Sequence, residues 1–144
     1  MRTENGTTEG SRYGTVRDWM TRKPVSIPVD CPIEVALSHM RSAAVRHLLV
    51  MDGDRLTGIV SNRDVRRLIE ETAHPARLSE PVSRIMTEGP VTVAPETPVA
   101  VAARLLLDAK IGAAPVRDGD EIVGIFTKSD ALEALLALVE RPSR

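Results

Sequence analysis

Gly58-Ile59-Val60-Ser61-Asn62-Arg63-Asp64 returns sixty-six positions later as Gly124-Ile125-Phe126-Thr127-Lys128-Ser129-Asp130. In each copy an apolar strand ends, a hydroxyl residue follows, and an acid sits three positions on, where a helical pattern begins. Working outward in the same frame, residues 16–67 lie over 82–133 without a gap, and sixteen of the fifty-two positions are identical. The matches include Met20/Met86, Thr21/Thr87, Pro24/Pro90, Pro32/Pro98 and Asp52-Gly53-Asp54/Asp118-Gly119-Asp120. Self-similarity at a fixed period makes one supersecondary unit, used twice, the thing to explain.

Each copy reads alike. A short helical lead-in (residues 15–20; 81–86) precedes an extended stretch after a proline, Val25-Ser26-Ile27 in the first copy and Val91-Thr92-Val93 in the second. A long helix is expected to begin near Pro32 and Pro98, because proline suits the first helical position. Thr97 is a good cap before it and Cys31 a poor one. Ile33, Ala36, Leu37, Met40 and Ala44 recur at helical spacing, as do Val99, Ala102, Ala103 and Leu106. Two apolar strands follow, 47–51 with 55–60 and 113–117 with 121–126, joined by Asp-Gly turns that favour short hairpins. A second helix closes each copy, near 62–72 and 128–140, with Leu68-Ile69 and Leu132, Leu135, Leu136 and Val139 as its apolar stripe. The order is β-α-β-β-α, twice, an α+β architecture. The expected division is a disordered tail at 1–14, repeats at 15–72 and 82–140, and a linker at 73–81. One copy of about sixty residues would bury a marginal core, so pairing of the copies is the simple remedy.

The bulk numbers narrow the function. The chain has 144 residues, 42% of them hydrophobic, and a net charge of -1, which leaves no electrostatic footprint for nucleic acid or an acidic membrane. Tyr13, Trp19 and Phe126 are its only aromatic residues, too few to stack a row of bases. Cys31 is alone, which points to a reducing compartment. No apolar run approaches the ~18 residues of a membrane span, so the expectation is a soluble, cytoplasmic protein.

The opening segment admits two readings. In one it is a capping box: Ser61 or Thr127 caps the helix while Asp64 or Asp130 reaches back and complements the dipole. In the other the same helix N-terminus holds a phosphate, the hydroxyl adds a donor, and the carboxylate accepts both hydroxyls of a ribose. Asn62, Arg63 and Lys128, with Arg46-His47 at the start of the preceding strand, place donors and positive charge nearby. A lone imidazole such as His47 at a strand start is more often a packed or half-exposed residue than a ligand contact. His39 and His74 fall in a helix and a linker, so the sequence offers no metal cluster and no nucleophile–base pair. The methionines read as packing residues.

These segments, together with Asp18-Trp19-Met20-Thr21-Arg22-Lys23-Pro24-Val25, Arg46-His47-Leu48-Leu49-Val50, Ile85-Met86-Thr87-Glu88-Gly89-Pro90-Val91 and Gly112-Ala113-Ala114-Pro115-Val116, give the chain its resemblance to a tandem pair of cystathionine-β-synthase (CBS) domains. Such a pair is a Bateman module, here expected as a stand-alone protein. The resemblance implies two repeats packed with pseudo-two-fold symmetry and adenosine ligands in clefts between them: AMP, ADP or ATP most often, S-adenosylmethionine, NAD or diadenosine compounds in some members. Carried over, Asp64 and Asp130 would hold ribose hydroxyls, and Ser61 and Thr127 would touch phosphate with Asn62, Arg63, Lys128 and Ser129. The adenine would lie near Thr21, Pro24 and Val25 and near Thr87, Pro90 and Val91, against the strand starts Arg46, His47 and Leu48 and Gly112, Ala113 and Ala114. Leu49 departs from the proline usual at that point, which Pro115 keeps. The first copy supplies Arg22, Lys23, Arg46, His47 and Arg63, so the expectation is unequal sites, with charged phosphates favouring the first.

The resemblance therefore implies a non-catalytic regulatory module that needs no cofactor and takes an adenine nucleotide as its regulatory ligand. A ligand-free dimerisation or interaction module is the main alternative, ahead of a small hydrolase or a nucleic-acid binder. With so little outside the two repeats, the output is expected to pass through an unidentified effector protein or through self-association. A homodimer formed by the apolar helix faces is the expected state.

Overall fold

The computed structural model of the chain describes residues 13–72 and 74–140. In chain order its elements are α1 (Val16–Trp19), β1 (Thr21–Arg22), β2 (Ser26–Pro28), α2 (Ile33–Ala43), β3 (His47–Asp52), β4 (Arg55–Ser61) and α3 (Asn62–Glu71). Two 3₁₀ turns follow (Pro75–Ser79, Val82–Arg84), then β5 (Thr87–Glu88), α4 (Val99–Ala109), β6 (Ala113–Asp118), β7 (Glu121–Thr127) and α5 (Lys128–Val139). The α+β repeat is thus present, with a two-residue strand added after the helical lead-in of each copy. Most of the expected 1–14 tail lies outside the described residues, but Gly14 belongs to the fold: its carbonyl accepts the Val99 N–H at 3.0 Å.

Two compact units form, and neither is simply one repeat. One is Pro24–Pro90; the other joins residues 13–23 to 91–140. The lead-ins are exchanged, so that α1 and β1 pack with the second copy while the Val82–Arg84 turn and β5 pack with the first.

In the unit Pro24–Pro90 the sheet runs β2-β3-β4-β5, with β2 parallel to β3 and the other pairs antiparallel. Leu48, Leu49 and Val50 are buried in succession because β3 lies between two partners. Leu48 and Val50 join Ile33, Ala36, Met40, Val65, Leu68 and Val82 in an aliphatic core. The Pro75–Ser79 turn, within the expected linker, packs against α2 and brings Leu78 to that core.

In the other unit the sheet runs β1-β7-β6, and the expected stretch at 91–93 contributes only a bridge between Val93 and Val116. Val16, Met20, Val99, Ala102, Leu106, Ala114 and Phe126 form its core. Backbone bonds from Val16 N to Thr97 O (2.8 Å) and from Arg17 N to Pro95 O (2.9 Å) fix α1 there.

Several local expectations shift by a residue or a face. Pro32 and Pro98 occupy the N-cap positions of α2 and α4, one place earlier than expected. Thr97 does not cap α4; its hydroxyl accepts the Ala94 N–H at 3.2 Å. Ala44 ends α2 in left-handed backbone (φ 55°), as Lys110 ends α4 (φ 57°), so Ala44 closes the helix instead of extending its apolar stripe. The Asp-Gly turns form as expected, with Gly53 and Gly119 at φ 66° and 64°. The largest change is in α5. Ala131, Ala134 and buried Asp130 face inward, while Leu132, Leu135, Leu136 and Val139 are exposed.

Candidate functional site

The repeated segment builds the same small structure in each unit. In Pro24–Pro90, His47 at the start of β3 lies opposite Ser61 at the end of β4. The Asn62 N–H donates to the Arg46 carbonyl at 2.8 Å, binding the strand start to the first turn of α3. Ser61 Oγ accepts the Asp64 N–H at 3.1 Å, and Asp64 Oδ2 accepts the Ser61 N–H at 2.8 Å. The other unit repeats this: Ala113 lies opposite Thr127, and the Lys128 N–H donates to the Gly112 carbonyl at 3.0 Å. Thr127 Oγ1 accepts from Asp130 N at 3.2 Å, while Asp130 Oδ2 accepts from Thr127 N at 2.8 Å.

The capping box therefore exists in both copies, and it also occurs at α1, where Asp18 Oδ2 accepts the Thr15 N–H at 2.8 Å. A cap alone marks no site. What separates Ser61 and Thr127 from Thr15 is their setting beside a strand start and a lead-in strand. Each cap also engages one carboxylate oxygen. Asp64 Oδ1 accepts no hydrogen bond from the described residues, and Asp130 Oδ1 meets only Thr21 Oγ1, at 3.4 Å. Each cap thus leaves the other oxygen of its carboxylate outside the capping hydrogen bonds. The amides are less generous than a bare helix N-terminus: those of residues 62 and 64, and of 128 and 130, are already bonded. That leaves the Arg63 and Ser129 N–H groups of the first turns for an anion.

The exchange of lead-ins re-sorts the expected site residues. Thr87 pairs with Ile59, so it joins the group of Pro24, Val25, Arg46, His47, Leu48, Ser61, Asn62, Arg63, Asp64 and Pro90. Thr21 pairs with Ile125 and joins Val91, Gly112, Ala113, Ala114, Thr127, Lys128, Ser129 and Asp130. The side chains of Leu48, Ala113 and Ala114 are buried, so they back these groups instead of lining them. The expected basic collection also divides. Arg22 lies opposite Gly124 and donates to the Arg17 carbonyl at 3.4 Å, and Lys23 follows it in the second-copy unit. Arg46, His47 and Arg63 stay near Asp64, and Glu88 joins their unit. Charge is more even than the first copy's sequence suggests.

The groups differ instead in access. Asp64 is half-buried, whereas Asp130 is 7% exposed and has Thr21 Oγ1 at 3.4 and 3.5 Å from its two oxygens. Thr87, in the equivalent register, makes no hydrogen bond to Asp64. Sequence reading missed the residues that deliver these threonines. A Cβ on Gly124 would meet Met20 Sδ at 2.7 Å and Thr21 O at 2.8 Å; on Gly58 it would meet Met86 Sδ at 2.6 Å and Thr87 O at 2.8 Å. Glycine at 58 and 124 lets the lead-in backbone lie directly on β4 and β7. The signal was visible as a repeated Gly-Ile pair inside a strand, a usual mark of close backbone approach.

Among the described residues no three His, Cys, Asp or Glu side chains are placed to share a metal ion, and no helix is long and apolar enough to cross a membrane. Cys31 is buried and unpaired; burial, and then the charge of Asp30, push its thiol pKa up.

Comparison with known proteins agrees with this geometry. The CBS domain family model matches residues 16–71 and 82–137. A CBS domain-containing protein of Dictyostelium discoideum is 32% identical over 136 residues, covering 87% of this chain and 93% of that protein. An A-adding tRNA nucleotidyltransferase of Geobacter sulfurreducens is 27% identical, but there the match covers 88% of this chain and only 14% of the enzyme. Among solved structures, CBSX2 in complex with AMP superimposes with a TM-score of 0.72 at 30% identity, covering 88% of this chain and 98% of that one. The AcuB protein of Vibrio cholerae gives 0.73, also at 30% identity, covering 90% and 98%.

Proposed function

Because the chain belongs to the CBS domain family, carrying the domain twice, we propose that it is a non-catalytic regulatory module that binds an adenine nucleotide at the Asp64 and Asp130 groups. The observation that carries this reading is the second oxygen of each carboxylate, which the cap does not use and which stands ready to accept ribose hydroxyls. The likeness to a CBS pair solved with AMP supports the ligand class. AMP is therefore the first choice, with ADP and ATP next and S-adenosylmethionine or NAD as alternatives. Arg46 and Arg63 supply positive charge for phosphate in one group, Lys128 in the other.

The two sites are unequal in this proposal, and access decides the order. Half-buried Asp64 fills first, whereas a ligand at Asp130 must displace the Thr21 hydroxyl. No catalytic step is assigned to either site. Binding acts by shifting a conformational equilibrium, which requires only that the ligand prefer one state. The signal passes to an effector protein or through self-association. A single buried, unpaired cysteine fits a reducing interior, and we place the protein in the cytoplasm.

Thermal-shift titration against AMP, ADP, ATP, NAD and S-adenosylmethionine tests the reading, since a ligand of the native state raises the melting temperature. A rise with at least one adenosine compound, reduced in Asp64→Asn and lost when Asp130→Asn is added, is the expected result. A flat response to all five transfers the function to the ligand-free interaction module.

A further inference from the structure

The unit Pro24–Pro90 carries eight arginines, no lysine and nine acidic residues, so it is nearly neutral, yet its charges are segregated. Helix α2 ends, β3 starts and α3 starts at one end of its sheet, because His47 lies opposite Ser61 and the Asn62 N–H is bonded to the Arg46 carbonyl. Arg41, Arg46, Arg63, Arg66 and Arg67 all fall at this end, and all five are exposed. The acid among them is Asp64, half-buried and bonded to the Ser61 N–H. None of the five arginines makes an ion pair with another of the described residues.

Helix α3 carries its charges against its own dipole. Apart from the capping Asp64, its first two turns hold Arg63, Arg66 and Arg67, while Glu70 and Glu71 stand at its other end. Acids first and bases last is the stabilising order. Arg63 and Arg67 are also like charges four residues apart, and Arg66 and Arg67 precede the glutamates one turn on, the poorer sense for a helical ion pair. The fold does not require this arrangement. Sixty-six positions on, the five arginines are replaced by Leu107, Gly112, Ser129, Leu132 and Glu133, and the second copy builds the same strand end, capping box and helix.

We propose that this arginine-rich end is a docking surface for an acidic segment of a partner protein, and that a nucleotide held at Asp64 competes with that segment. Carboxylates suit the surface because guanidinium forks take them in paired, charge-assisted hydrogen bonds. Arg63, Arg66 and Arg67 lie within about 6 Å along the helix axis, so a short run of Asp or Glu reaches all three. Single-stranded nucleic acid is the poorer occupant, since the unit has no aromatic residue on which a base could stack. A lipid surface is poorer too: Val35 and Ile69 are the unit's exposed large apolar residues among those described, too few to enter a bilayer. Competition follows from shared residues. Arg46 and Arg63 belong both to this surface and to the proposed phosphate group, so a bound nucleotide neutralises part of the patch. The coupling is reciprocal, and the partner weakens the nucleotide as the nucleotide weakens the partner. This second part rests on the proposed ligand; the surface itself does not.

Fluorescence anisotropy of a labelled octaglutamate peptide, titrated with the intact chain at about 20 mM salt to limit screening, reads the docking directly. The expected result is saturable binding that weakens at least about tenfold in Arg66→Gln/Arg67→Gln. Arg55→Gln/Arg84→Gln, which removes two arginines elsewhere in the same unit, should leave it unchanged. The first pair relieves like charge near a helix N-terminus, so it should melt no lower than the wild type, which separates lost docking from lost folding. Saturating AMP should weaken the peptide about fivefold in the wild type and have no effect on it in Asp64→Asn. Absence of peptide binding would overturn the proposal, as would equal losses in the two arginine pairs or tighter binding of an eight-nucleotide single-stranded DNA. AMP that binds by isothermal titration but leaves the peptide affinity unchanged would overturn the competition. If AMP does not bind at all, the competition falls with the ligand reading, and the peptide titration still decides the surface.

Discussion

Gly124→Ala adds a single methyl group at the point where the lead-in of the first copy lies on the hairpin of the second. The new Cβ would sit 2.7 Å from Met20 Sδ and 2.8 Å from the Thr21 carbonyl oxygen. The methionine can swing aside, but the carbonyl is backbone and can retreat only if β1 lifts from β7. Overpacking of this kind costs about 1–3 kcal/mol, and partial exposure of buried Met20 adds about 1 kcal/mol. A loss near 3 kcal/mol corresponds to a melting temperature lower by about 6–12 °C in a chain of this size. Gly119→Ala is the control. Nothing lies within 4 Å of its Cβ, and the substitution pays only for left-handed backbone at φ 64°, about 1 kcal/mol or 2–4 °C. Differential scanning calorimetry of the two variants beside the wild type reads the difference. If Gly124→Ala melts no lower than Gly119→Ala, β1 does not rest on β7 as described, and the delivery of Thr21 to Asp130 falls with it.

Lys110→Gly should raise the melting temperature by about 2–4 °C, because glycine removes the roughly 1 kcal/mol cost of left-handed backbone at the end of α4; calorimetry showing no gain would contradict it. Thr127→Ala should cost about 1 kcal/mol by leaving the Asp130 N–H without its acceptor, measured as a lower urea midpoint at unchanged slope. Thr21→Val should strengthen nucleotide binding at the Asp130 group by about fivefold, since the ligand no longer displaces a hydroxyl worth about 1 kcal/mol; calorimetric titration in an Asp64→Asn background isolates that site, and a weaker affinity there would show Thr21 to be a ligand contact.

Much of the fold was legible because its signals are local. The repeat frame, the Asp-Gly turns and the two capping boxes each rest on residues within a few positions of one another. The exchange of lead-ins was not legible. A two-residue strand such as Thr21-Arg22 carries no periodicity, and whether it lies on β4 or β7 is decided by tertiary contacts at Gly58 and Gly124. The same exchange places Arg22 and Lys23 in the second-copy unit, so charge counted along the first copy is not charge gathered in one unit. The stripe on α5 failed for a different reason: spacing shows that Leu132, Leu135, Leu136 and Val139 share a face, but not which way that face turns. For the site, residue types pointed to Asp64 and Asp130. Which carboxylate oxygen the cap uses, and the cover that Thr21 gives Asp130, required coordinates.

The central claim is that the oxygens of Asp64 and Asp130 left outside the caps hold an adenine nucleotide. Asparagine at these positions keeps an oxygen for the cap and replaces the second oxygen with an amide that donates and cannot accept. Isothermal titration of AMP into the wild type, Asp64→Asn, Asp130→Asn and the double variant is therefore the direct measurement. The expected result is AMP binding by the wild type, a loss of at least about tenfold in Asp64→Asn, no binding by the double variant, and melting temperatures within a few degrees of one another. AMP binding by the double variant equal to that of the wild type would contradict it.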